Sequence, residues 1–277
     1  MSSGRRPEHQ APPDIYYNET EAKKYTQNSR MIEIQVQMTE RALELLSLPE
    51  DEPALLLDLG CGSGLSGSVL EDNGHMWVGL DISRAMLEVA LEREVEGDLV
   101  LSDLGQGIPF RAGMFDGAVS ISALQWLCNA DQATHKPAKR LYKFFSMLYT
   151  SLSRTARAIF QFYPENPDQI ELVTTQATKA GFFGGLVVDY PNSTKAKKYF
   201  LVLMVSSSAA LPKALGTESD NTTIAFSKDR AKFKKFHGKP LKKSKDWILE
   251  KKERRRRQGL ATREESKYTA RRRCGKF

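Results

Sequence analysis

The chain is 277 residues long, 40% apolar, 9% aromatic and 27% charged. That composition builds one folded domain of catalytic size with an appendage and excludes wholesale disorder. Its net charge of +7 is unevenly placed: residues 221–277 carry 21 Lys/Arg against 6 Asp/Glu, whereas residues 1–220 carry 20 against 28. The apolar run Tyr199–Val205 is far too short to span a bilayer, and the opening MSSGRRPEHQAPP has no apolar signal region. Three scattered cysteines (Cys61, Cys128, Cys274) form neither a disulfide framework nor a zinc site, so a reducing intracellular compartment and no metal are expected.

In chain order, residues 1–13 read as a flexible arm. From Asn18 to Leu46 the positions Met31, Gln35, Met38, Ala42, Leu45 and Leu46 recur at helical steps, and Pro49 and Pro53 close the segment. Short apolar runs then alternate with helical stretches. Strands are expected at Leu55–Leu59, His75–Leu80, Asp98–Leu101, Phe115–Ile121 and Ala156–Tyr163. Helices are expected at Ser63–Asn73, Ser83–Glu94 with Ser83 as N-cap, Pro137–Leu152 and Pro167–Ala180. Two consecutive strands, Phe183–Asp189 and Lys197–Val205, end the order. Repeated βα units imply a seven-stranded, mostly parallel α/β sheet with helices on both faces; the closing pair has no crossover helix, so the last strand is antiparallel. The chain divides into an N-terminal arm and helices (1–49), an α/β domain (50–205) and a linker with a basic C-terminal tail (206–277).

The chemistry concentrates at strand ends. Asp58-Leu59-Gly60-Cys61-Gly62-Ser63-Gly64 follows the first strand, and alternate glycines let backbone N–H groups approach a ligand without Cβ interference. A dinucleotide fingerprint fails because Leu65 stands where a third glycine belongs, and a P-loop fails because no Gly-Lys-Ser/Thr follows. Asp81 ends the second strand, where a carboxylate can accept from both hydroxyls of a ribose; Asp103 ends the third, where an acceptor can meet an adenine amine. Three carboxylates at successive strand ends converge on the crevice where open α/β sheets bind ligands. Cys61 reads as a space-filler and His135 as a solvated loop residue.

This D-x-G-x-G-x-G set with its two further acids resembles the class I S-adenosylmethionine-dependent methyltransferases over about residues 50–205, a Rossmann-like fold. The resemblance places the cofactor on Asp58, Gly60, Gly62, Gly64, Asp81, Ile82, Asp103, Leu104 and Ser120; Tyr25, in the N-terminal helical segment, is a candidate to cover it. A closer resemblance runs through YYNETEAKKYTQNSRMIEIQ, LDLGCGSGLSG, SDLGQGIPF, ISALQWLCNA, FYPEN, TTQATKAGF, VVDYPNS and WILEKKERRRRQG. These segments are similar to the eukaryotic small-subunit (18S) ribosomal RNA guanine-N7 methyltransferase family. That likeness implies methylation of a guanine N7, a role in small-subunit biogenesis and a small zinc-binding activator subunit in a heterodimer. It also implies residence in the nucleus and nucleolus, with the cytoplasm as a further location. Asn129–Pro137 and residues 206–235 carry no part of it.

The residues agree with such chemistry without compelling it. The fourth strand leads into Ser120-Ile121-Ser122-Ala123-Leu124-Gln125-Trp126, which lacks the Pro-Pro-aromatic context of exocyclic amine methylation, and no Pro-Cys offers a pyrimidine nucleophile. Guanine N7 has a free lone pair at neutral pH, so alignment can replace general-base catalysis. Trp126, Phe162, Tyr163 and Asn166 are candidates to stack on and position an extruded base. Leu99, Val100 and Leu101 form an unprotected apolar edge for a partner strand. In the tail, Ser244 or Asp246 can cap a short helix that Gly259 stops. Lys251, Lys252, Arg254, Arg255, Arg256 and Arg257 there suit RNA phosphates or nuclear import. Two alternatives stay open: a small-molecule methyltransferase of the same fold, and a non-catalytic pre-ribosome or chromatin factor.

Overall fold

The computed structural model describes residues 6–49, 52–193, 196–206, 212, 214–216, 252 and 256. The strands are β1 (Leu55–Leu59), β2 (Met76–Asp81), β3 (Asp98–Leu101), β4 (Phe115–Ile121), β5 (Leu152–Phe162), β6 (Phe183–Asp189) and β7 (Lys198–Met204). They form one sheet in the order β3-β2-β1-β4-β5-β7-β6. The first five are parallel to one another; β7 runs antiparallel between β5 and β6. This is the expected seven-stranded α/β sheet, with the sequential order reversing between β1 and β4.

Helices α1 (Pro13–Tyr16), α2 (Glu19–Gln27), α3 (Ser29–Leu46), α4 (Leu65–Asp72), α5 (Arg84–Glu92), α6 (Pro137–Ser151) and α7 (Pro167–Lys179) complete the fold. On one face α3 and α4 bury Met38, Ala42, Leu45, Leu46 and Leu70 against Leu56, Val119 and Ile159. On the other, α6 and α7 bury Phe144, Phe145, Leu148 and Val173 against Phe115, Phe160 and Leu201. Covered on both faces, the strands read as continuous apolar runs. Trp77 of β2 fits because two neighbours lack side chains: a Cβ on Gly67 or Gly97 would stand within 2.1 Å or 2.2 Å of its ring.

Two departures from the sequence reading occur near the N-terminus. The single helical stretch to Leu46 is two helices, divided where the Asn28 side chain accepts from Met31 N at 3.2 Å and restarts the chain as an N-cap. The arm is also not free over its described part. Pro7–His9 form a 3₁₀ turn, α1 follows, and the segment is tied to the end of β5. Arg6 Nη1 donates to the Tyr163 carbonyl at 3.0 Å, and His9 meets Glu165 at 3.3 Å. Further on, the Ser83 hydroxyl donates to the Tyr17 carbonyl at 2.8 Å. Short polar, proline-containing segments have no periodicity to reveal such anchoring.

The residues from Glu218 to Phe277 form a separate unit. Of the basic cluster, Lys252 and Arg256 are helical; Lys251, Arg254, Arg255, Arg257, and the capping and stop residues Ser244, Asp246 and Gly259 lie outside the described residues.

Candidate functional site

The glycine loop turns directly off β1 because each of its glycines takes a left-handed backbone: φ is +80° at Gly60, +52° at Gly62 and +74° at Gly64. A Cβ on Gly60 would lie 2.3 Å from the Ala123 Cβ, so the loop also packs too closely for any side chain there. Gly60 N and Cys61 N both donate to the Leu80 carbonyl, at 2.8 and 3.1 Å, which fastens the loop to the end of β2. One residue on, Asp81 binds the same loop: Oδ2 accepts from Gly62 N and Oδ1 from Ser83 N, both at 2.8 Å. Burial raises the Asp81 pKa, and the backbone N–H groups of Ser83, Gly62 and Ile82 oppose the rise. Each carboxylate oxygen offers two lone pairs, so Asp81 retains acceptor capacity for a ligand hydroxyl.

Asp58 lies fully buried beneath the loop. Its Oδ2 accepts from the Ser66 hydroxyl, and its Oδ1 has no hydrogen-bond partner among the described residues. Burial pushes its carboxyl up to about 7, the nearby Asp81 charge adds to the rise, and the Ser66 hydroxyl and Gly67 N–H counter it. Asp103 sits on the crevice wall, where Oδ1 accepts from Gly105 N and from Arg140 Nη2, both at 2.8 Å. Arg140 in turn meets the His135 ring at 2.7 Å, so His135 is not the free loop residue that its polar surroundings suggest.

Gly60, Gly62, Asp81, Ile82, Asp103, Leu104 and Tyr25 all line one crevice of about 880 Å³. The acids Asp81 and Asp103 on its wall and a cradle too tight for Cβ atoms suit a ligand with hydroxyl, amine and cationic groups, as S-adenosylmethionine has. Three of the expected contacts fall elsewhere. Gly64 precedes α4 as its N-cap, Asp58 underlies the loop, and the Ser120 hydroxyl donates to the Leu59 carbonyl at 2.7 Å inside the sheet. Cys61 is buried against Gly79, a space-filler as expected.

A second pocket of about 1340 Å³ adjoins the crevice and shares Tyr17, Tyr25, Gln35, Ser122 and Trp126 with it. The Trp126 ring packs beside Tyr16 and Tyr17, with centroids 6.0 and 5.8 Å away, and these rings make an aromatic wall. Tyr163 lines this pocket; its hydroxyl accepts from Lys198 Nζ at 3.0 Å. Asn166 does not reach it. The Asn166 side chain accepts from Gln169 N at 2.9 Å and caps α7, a role that Pro167 behind it already announces. Phe162 is fully buried core.

The seam between the pockets was not visible in the sequence. Ser122 holds a left-handed φ of +60°; its hydroxyl donates to Gln161 Oε1 at 2.9 Å and accepts from Gln35 Nε2 at 3.3 Å. Tyr17, Gln35 and Arg140 come from three different helical or loop elements, and nothing local marks them. The adjacent Tyr16-Tyr17 in a polar stretch was the available signal.

Asp58 sets a pH test. Its folded pKa lies above the usual carboxylate value, so the protonated form is the one the fold favours. The stability it contributes is complete below about 4 and is lost as pH rises through about 7. In melts between pH 5 and 8 without ligand, the chain should lose stability relative to Asp58→Asn as pH rises. Parallel profiles would show that Asp58 is ionised throughout.

Comparison with known proteins fits this geometry. A general methyltransferase-domain family matches residues 57–144, and the family "Methyltransferase involved in Williams-Beuren syndrome" matches residues 203–275. The chain is 59% identical over 280 residues to the 18S rRNA (guanine-N(7))-methyltransferase of Mus musculus, covering 100% of this chain and 99% of that protein. It is 49% identical over 281 residues to the 18S rRNA (guanine(1575)-N(7))-methyltransferase of Saccharomyces cerevisiae, covering 98% and 99%. Among solved structures, a TehB-like SAM-dependent methyltransferase of Corynebacterium glutamicum shares the fold at 19% identity and TM-score 0.50, over 68% of this chain and 99% of that one. Haemonchus contortus phosphoethanolamine N-methyltransferase 2 with S-adenosyl-L-methionine shares it at 17% identity and TM-score 0.51, over 68% and 57%.

Proposed function

The chain belongs to the 18S rRNA (guanine-N(7))-methyltransferase family, and from that premise we propose how its own residues serve the reaction. It transfers a methyl group from S-adenosylmethionine to N7 of a guanine in 18S ribosomal RNA, a step in making the small subunit. The observation that carries the residue assignment is the pair of confluent pockets, a loop-and-acid crevice opening into an aromatic chamber.

The cofactor supplies an electrophilic methyl group; the protein's task is to hold and align. Asp81, which anchors Gly62 and Ser83, would accept from ribose hydroxyls, and Asp103, held by Arg140, would serve the adenine side. The glycine loop would hold the amino-acid end, with Asp58 buried beneath it as a support. Trp126 and Tyr163 line the chamber for the base, and stacking on such faces fixes the plane of an extruded purine. Guanine N7 would attack the methyl carbon through its own lone pair as the carbon–sulfur bond breaks to leave a neutral thioether, so no residue needs to take a proton and catalysis is in-line positioning.

A small zinc-binding activator pairs with the β3 edge through Leu99, Val100 and Leu101. The basic tail, Lys251 to Arg257, contacts RNA phosphates or directs import, and the enzyme works in the nucleus and nucleolus, with the cytoplasm as a further location. No described helix is long and apolar enough to cross a membrane. The deciding experiment is transfer of tritiated methyl from S-adenosylmethionine to small-subunit RNA by chain and activator together, followed by nucleoside analysis. Label is expected in 7-methylguanosine; label in another nucleoside, or none despite cofactor binding, would overturn the assignment.

A further inference from the structure

The chamber beside the cofactor crevice contains a carboxylate that positioning of the cofactor does not use. Glu8 lies in the N-terminal strap, lines the chamber and leaves only 8% of its side chain exposed. Its nearest cation, Arg6 Nη1, stands 3.5 Å from Oε1, well beyond a charge-assisted hydrogen bond of about 2.7–2.9 Å. Arg6 is instead committed to the Tyr163 carbonyl at 3.0 Å. An enclosed acceptor beside aromatic walls is suited to a ligand with a planar face and N–H donors on one edge.

Guanine has that form. Its N7 and O6 are acceptors on one edge, and its N1–H and exocyclic N2 amine are donors on the other side of the ring system. Glu8 lines the chamber but not the cofactor crevice, whereas Gln35, Ser122 and Trp126 line both. A base whose N7 faces the shared mouth therefore turns its donor edge toward the chamber's own walls, where Glu8 is. Adenine has neither donor at those positions: its N1 is an acceptor, which a carboxylate repels.

We propose that Glu8 selects the target base by accepting hydrogen bonds from the N1–H and N2 amine of the guanine being methylated, making it a specificity residue contributed by the strap. This rests on the reading of the chain as a guanine-N7 methyltransferase. It also gives the strap's anchors at Tyr163 and Glu165 a purpose, since they set the position of Glu8 between Arg6 and His9.

The test uses the full-length chain with its activator on two small-subunit RNAs, one natural and one with inosine at the methylated position. Inosine keeps N7, O6 and N1–H and lacks only the N2 amine. The wild type should prefer guanine by roughly tenfold or more in kcat/KM, the scale of one hydrogen bond to a charged acceptor. Glu8→Gln should lower activity on guanine by at least that factor, bring the guanine-to-inosine ratio close to unity and leave S-adenosylmethionine affinity unchanged. Arg6→Ala, which loosens the strap that places Glu8, should lower the guanine-to-inosine ratio in the same direction but by less than Glu8→Gln does. A Glu8→Gln enzyme that keeps the wild-type ratio, whether fully active or uniformly impaired, overturns the proposal. A wild type that makes no 7-methylguanosine overturns the parent reading and this one with it, whereas normal product with an unaltered ratio overturns this one alone.

Discussion

Asp81→Ala should reduce methyl transfer to background while leaving a folded, soluble chain. The side chain has two duties at one point, fastening the glycine loop through Gly62 N and Ser83 N and presenting acceptors to the cofactor ribose. Loss of two hydrogen bonds to a charged acceptor is worth about 3–6 kcal/mol, or roughly 10²–10⁴ in cofactor affinity. Leaving two backbone donors without their acceptor adds about 1–3 kcal/mol each in lost stability where water cannot reach them. The melting point should therefore fall as well, and cofactor should no longer raise it. Isothermal titration with S-adenosylmethionine, a thermal melt and the tritium assay separate these effects. Near-normal affinity in the variant would remove Asp81 from the cofactor site. Retained assembly with the activator alongside lost transfer would separate the catalytic role from a scaffolding one.

The fold and half of the site were legible because their signals are local. β1, β3, β4 and β6 are mostly apolar or small-residue runs bounded by turn residues; Asp58, Asp81 and Asp103 stand in or just beyond the first three strands, which a parallel sheet brings into register. Ser83 was readable as an N-cap for the same reason. The chamber was not legible, since its wall is built from α1, α2, α3, the turn after β4 and the start of the loop after β5, elements that meet only in the folded chain. Asn166 shows how local chemistry can mislead: polar residues at a strand end suggest a binding loop, yet Asn-Pro is also a helix start, and here capping prevailed. Ser120 shows the other failure. In a strand buried on both faces a hydroxyl can be spent within the sheet, and periodicity does not reveal on which side.

The second large effect concerns the edge of the sheet. The sheet has two edges, β3 and β6. β6 opens with Phe183-Gly184-Gly185, and Gly184 takes a φ of +135°, so that edge starts with weakly specified strand backbone. β3 is regular, pairs with β2 from Asp98 to Leu101, and carries no lysine or proline to deter a further strand. Leu101 is 58% exposed at its end, and Leu91 on the neighbouring α5 is 65% exposed. We therefore expect Leu101→Lys to abolish copurification of the proposed activator. Burying a leucine at an interface is worth about 1.5–3 kcal/mol, so its loss weakens the pair by roughly 10- to 150-fold before the cost of covering an ammonium is added. Because the Leu101 side chain is half in solvent, the cofactor affinity of whatever remains soluble should stay near that of the wild type, even though its backbone pairs with Asp81. Lower soluble yield with intact cofactor binding is the signature of a lost partner, whereas a collapse of both points to a strand that no longer forms. A variant that copurifies with the activator as well as the wild type would place the docking surface elsewhere and leave the bare β3 edge unexplained.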